Sequence, residues 1–157
     1  YLGSIVLGLN DALVELTGVL AGLTLGIRSS PVIAAIGIIT GISAAFSMAG
    51  SEYLSTKTEN NGSVKPATSA FYTGTAYVTT VIALIVPYMI IENVFVALLM
   101  TIGTAISIIA AFNWYASVAK GIPFKRRFLE MLSISLSVAF ISFFIGLIVN
   151  RVFDIKV

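Results

Sequence analysis

Five apolar stretches, each long enough to cross a lipid bilayer, follow one another with only short polar breaks, and this pattern constrains the fold more than any other feature of the chain. A hydrocarbon core about 30 Å thick needs roughly 20 mostly apolar residues per helix. The stretches fall near Ile5–Ile27, Val32–Ser55, Ser69–Ile91, Val94–Ala119 and Phe128–Val149. They run without period-two alternation, which predicts helices and not a barrel. Pro87 is the position best placed to move a boundary, because it can end the third helix early and leave Tyr88–Asn93 as the turn. The expectation is an all-α membrane protein of five transmembrane helices, forming one domain over residues 1–157. Composition agrees: 58% of the residues are hydrophobic and 10% are charged, against about 25% charged in a soluble domain. The longest polar segment, Thr56–Thr68, holds Asn60, Asn61, Gly62 and Pro66 and reads as a solvated loop.

The chain has neither cysteine nor histidine. Disulfides, zinc and haem ligation, and thiol or imidazole catalysis are thereby excluded from its residues. No enzymatic activity and no bound cofactor are expected. The net charge of +2 comes from bases at helix ends, where membrane topology accounts for them, so nucleic acid is not an expected partner. Lys57, Lys65, Lys120, Lys125, Arg126 and Arg127 fall in the breaks after the second and fourth spans, whereas Arg28 and Glu92 mark the other side. The positive-inside rule then places the N-terminus in the cytoplasm and the C-terminus, with Arg151, Asp154 and Lys156, outside. The first span lacks the charged leader and small-residue cleavage site of a signal peptide and is kept as a helix.

That first span carries two carboxylates in the segment LNDALVELTG (Leu9–Gly18). Asp11 and Glu15 are four residues apart and share one helix face. Gly18, Gly22 and Gly26 continue that face as a small-xxx-small stripe, which lets two membrane helices approach closely. The carboxylates are therefore expected to point into a helix–helix contact, and helix 1 is the expected dimer contact. The second span repeats the design in Gly37, Gly41, Ala45, Met48 and Glu52. Counting inward from Arg28 and Pro31 sets Asp11 at nearly the depth of Met48, with Glu52 about a turn nearer the cytoplasm at roughly 1.5 Å per residue. Asp11, Glu15, Met48 and Glu52 are the candidate metal ligands.

Plainer readings stand beside that one. Glu52 lies near enough to the helix end to reach the interface, and a buried Asp11 can stay protonated and bond to Thr17, Asn10 or a carbonyl. Met48 and the glycines can be ordinary packing. The coincidence of three acids and a thioether, with no Lys or Arg inside the five spans, favours a site. Carboxylate oxygens with one soft sulfur suit Fe²⁺ or Mn²⁺ better than Zn²⁺ or Cu⁺.

The segments GLNDALVELTGVLAGLTLG (Gly8–Gly26) and SMAGSEYLSTK (Ser47–Lys57) resemble the first and second helix signatures of the vacuolar iron transporter family, whose members move Fe²⁺ and Mn²⁺ out of the cytosol. The five-helix layout agrees along the whole chain, while helices 1 and 2 carry the specific part. The resemblance implies a homodimer with an ion path along the dimer axis, and metal bound by Asp11 and Met48. Plant and parasite vacuolar members place another acid where this chain has Thr40, and Glu15 and Glu52 match the prokaryotic pattern instead. Those members also carry a glutamate-rich metal-binding domain after helix 2, whereas Thr56–Thr68 offers only Glu59. Some prokaryotic relatives fuse a ferritin-like domain before helix 1.

Exporting a divalent cation from a cell that is negative inside is uphill by roughly 2.3 kcal/mol per charge per 100 mV. No P-loop is present to drive it. Proton antiport can, with two carboxylates neutralising the metal outward and returning protonated. Five helices cannot form two equal inverted repeats, so a two-fold dimer is the natural way to a symmetric path. The expected function is thus export of Fe²⁺ or Mn²⁺ by proton antiport across the cell membrane, the partners being the metal ion, protons, lipid and a second copy. The alternatives are a passive divalent-cation channel, or a membrane anchor for an N-terminal ferritin-like domain.

Overall fold

A computed structural model describes residues 1–59, 64–121 and 123–153 of the chain. Asn60, Asn61 and Gly62 of the expected loop, and Asp154 and Lys156 of the tail, lie outside the described residues. Five helices and no strand are present among those described: α1 (Leu2–Gly26), α2 (Ser30–Thr58), α3 (Pro66–Ile90), α4 (Val94–Lys120) and α5 (Phe124–Phe153). All five are long and apolar enough to cross a membrane. Most run a few residues past the apolar stretches because a helix satisfies its own backbone beyond the hydrocarbon, where Lys57, Thr58 and Arg126 meet the polar interface. Pro87 does not end α3. The helix continues to Ile90, the Ile91 amide bonds to the Pro87 carbonyl at 2.9 Å, and Tyr88 is buried. Asn93 caps α4, its Oδ1 accepting from the Phe95 and Val96 amides at 3.0 and 3.1 Å. Gly121 closes the same helix at φ 64°, in the left-handed region that an L side chain resists.

α1 is the central helix and touches the other four. α3 and α5 run parallel to it, as the pairings Ser4–Ser69, Thr24–Tyr88 and Leu25–Asn150 require. Gly18 and Gly22 of the α1 stripe are already covered within the chain. Gly18 lies against Val138 and Ser142, and Gly22 meets Ser142 and Gly146, all on α5 of the same chain. A Cβ on Gly146 would sit 2.5 Å from the Gly22 carbonyl oxygen, so neither position admits a side chain while the helices keep this spacing. The expectation that this stripe forms the dimer contact is corrected for Gly18 and Gly22, because α5 supplies its own small residues, Ser142 and Gly146, at matching depth. α2 uses its small residues chiefly on α3. Gly41 abuts Val81, and Ala45 and Ala49 abut Gly74, while Gly37 reaches both Leu20 of α1 and Ile85 of α3. Large apolar side chains such as Ile39, Phe46, Phe71, Trp114 and Phe140 point outward, an arrangement suited to lipid and not to water.

Candidate metal site

The geometry of the acids is set by a helix that carries none of them. Ser69, Thr73, Tyr77, Thr80 and Tyr88 of α3 are all buried; their near-fourfold spacing puts them on one face, and four of them bond to α1 or to α2. The Ser69 hydroxyl donates to Glu52 Oε1 at 2.5 Å. Thr73 donates to the Ser4 carbonyl at 3.0 Å, the Tyr77 hydroxyl to Glu15 Oε2 at 2.8 Å, and the hydroxyls of Tyr88 and Thr24 lie 2.7 Å apart. Gly8 of α1 admits this closeness, since a Cβ there would overlap the Thr73 backbone.

Glu15 is exposed on the flank of the chain even though it lies near the middle of α1, and Asp11, one turn earlier, is half-buried. Gly3 and Leu7, at the same four-residue spacing, continue this open stripe toward the N-terminus. Glu52 is half-buried and held at the start of α1, accepting from Ser4 at 2.8 Å and from Ser69 on the same oxygen. Met48 is half-buried against the apolar core. The contacts Ser4–Glu52 and Gly37–Leu20 fix the antiparallel register of α1 and α2. Asp11 is thereby level with Ala45 and Phe46, and Met48 lies nearer the depth of Gly8. Glu52 is about 10 Å from the Asp11 level at 1.5 Å per residue. The count from Arg28 and Pro31 therefore set Glu52 too close to Asp11 by nearly a turn, because α1 and α2 do not begin their spans at equal depth.

Within one chain the four residues thus occupy two places: Asp11 and Glu15 on the open stripe, and Glu52 in a hydroxyl clamp below Met48. Among the described residues no three acidic side chains converge to hold a metal ion. The ion pair found among those residues is Arg126–Glu130 at 3.1 Å, at an exposed helix start, so the mid-span acids have no basic partner there. Ser4, Ser69 and Tyr77, which hold Glu52 and Glu15, are not singled out by the sequence. For Ser69 and Tyr77 the signal is the hydroxyl spacing along α3, which reads equally well as polar residues tolerated inside an apolar helix.

Five helices long and apolar enough to cross a membrane, with two carboxylates near the middle of the first, define a multi-pass membrane protein. Residues 2–63, which contain α1, α2 and all four candidate ligands, match the model of the VIT family. Over those residues the resemblance to the vacuolar iron transporter-like family is shown. A comparison with curated proteins finds no match.

Proposed function

We propose that the protein exports Fe²⁺ or Mn²⁺ from the cytoplasm by proton antiport, along a path at the interface of a homodimer in the cell membrane. The observation that carries this reading is the Asp11–Glu15 pair on an open flank of α1. An ionised side chain facing lipid at mid-bilayer costs upward of a few kcal/mol, so this stripe needs a cover that welcomes charge. A second copy related by a two-fold axis offers one, because it brings its own Asp11 and Glu15 to the same place and makes four carboxylates from two. Oxygen donors in that number suit a borderline divalent ion, and Met48, a few ångströms nearer the cytoplasmic end, adds a soft ligand on the approach. Tyr77 holds one oxygen of Glu15 and leaves the other free for metal or proton. Two carboxylates per chain can neutralise the ion outward and return protonated, which uses the proton gradient to offset the cost of moving charge against the membrane potential.

Metal uptake into proteoliposomes, measured with and without an imposed pH gradient, tests the reading. Uptake that rises with the gradient and is accompanied by counter-movement of protons is the expected result. Uptake indifferent to the gradient would identify a passive channel, and absence of uptake would leave an anchoring role.

A further inference from the structure

Three buried polar atoms have no protein partner among the described residues: Thr17 Oγ1 on α1, Asn113 Oδ1 on α4 and Ser135 Oγ on α5. Each residue is almost wholly enclosed, with exposures of 2%, 1% and 3%. Other hydroxyls of α1 and α4, at Thr24, Thr104 and Ser107, turn back onto the carbonyl four residues earlier. Thr17 and Ser135 do not. In a bilayer an unsatisfied polar atom has no solvent to fall back on, so each of them calls for a partner.

Two of them, Asn113 and Ser135, lie along one line through Met131. A groove of about 350 Å³ opens between the starts of α1 and α5, with Arg126, Arg127, Glu130 and Asn10 at its rim and Val6 and Met131 below. The sulfur of Met131 accepts from Asn113 Nδ2 at 3.1 Å, and the same amide nitrogen bonds the Ile109 carbonyl at 2.8 Å. The amide is thereby oriented, leaving Oδ1 as its unused acceptor. Ser135 is one turn beyond Met131 on the same buried side of α5. That step is about 5 Å, the pitch of a helix, and Asn10, which shares the groove with Met131 and Ile134, sets Ser135 level with Asp11.

We infer that a hydrated crevice follows this line, entered at the Arg126–Arg127 groove and reaching Ser135 between α1, α4 and α5. Water is the ligand that fits: it donates and accepts, so one chain of molecules serves the Asn113 amide oxygen and the Ser135 hydroxyl, and buried water sits where two or more polar groups converge. The crevice brings water from the groove end to the depth of Asp11 whether or not the protein moves metal.

The chain contains no cysteine, so single cysteines can be introduced without background. Ser135→Cys, reconstituted in lipid vesicles, is treated with a charged, water-soluble methanethiosulfonate, and Phe140→Cys, on an outward apolar position, serves as the lipid-facing reference. Only a thiolate in contact with water reacts, so Ser135→Cys should be modified at least about tenfold faster than Phe140→Cys. Adding Asn113→Leu, which replaces the central amide with an apolar group of similar size, should slow modification of Ser135→Cys toward the reference. Equal rates at the two cysteines, or a Ser135→Cys that stays unmodified, would overturn the proposal.

Discussion

Tyr77→Phe removes one oxygen atom and changes nothing else in a side chain that is 1% exposed. The lost hydroxyl is the donor held 2.8 Å from Glu15 Oε2. A hydrogen bond to a charged group contributes about 1.5–3 kcal/mol, and each 1.4 kcal/mol is tenfold in an equilibrium constant, so whatever depends on Glu15 being held in place should weaken roughly ten- to a hundredfold. The core around Tyr77, which includes Leu13, Leu16 and Val81, keeps its volume, so the fold should persist. Metal transport by reconstituted protein is the assay, run as a double-mutant cycle with Glu15→Gln. If Tyr77 acts by positioning Glu15, its effect should shrink sharply once Glu15 is already an amide. A Tyr77→Phe protein with unaltered transport, or one whose loss is the same in both backgrounds, would refute the reasoning and leave the contact as a mere core hydrogen bond.

Asp11→Asn preserves shape and hydrogen-bonding capacity but removes the charge; metal-dependent transport and the accompanying proton flux should both vanish while the protein stays folded, and surviving transport would mean that Asp11 only donates a hydrogen bond. Met48→Leu conserves volume and should cost less than about 1.5 kcal/mol in stability, yet Fe²⁺ and Mn²⁺ transport should fall; normal movement of both ions would mark Met48 as packing. Gly146→Leu must push α5 from α1, since even a Cβ would sit 2.5 Å from the Gly22 carbonyl oxygen. The expected loss exceeds the roughly 1–3 kcal/mol of ordinary overpacking, read as a lowered melting temperature in detergent, and a stability equal to wild type would contradict the α1–α5 contact.

The number of spans, their approximate limits and the shared face of Asp11 and Glu15 were legible in the sequence, because each depends on local quantities: apolar length against bilayer thickness, and 3.6 residues per turn. The absence of bases within the spans, which makes the acids conspicuous, is equally local. Other features were decided only when the helices packed. A small-xxx-small stripe specifies that some helix comes close but not which one, and for Gly18 and Gly22 the partner proved to be α5 of the same chain. The depth of Glu52 relative to Asp11 followed from where Ser4 and Ser69 seize it, and Pro87 stayed inside α3. The role of α3, whose hydroxyls reach Glu15 and Glu52, was hidden for the same reason. In water, the apolar side of a helix announces which face turns inward. Lipid tails are as apolar as leucine, so a membrane helix is apolar on every side, and which face meets which neighbour is settled by close packing and hydrogen bonds between residues far apart in the chain.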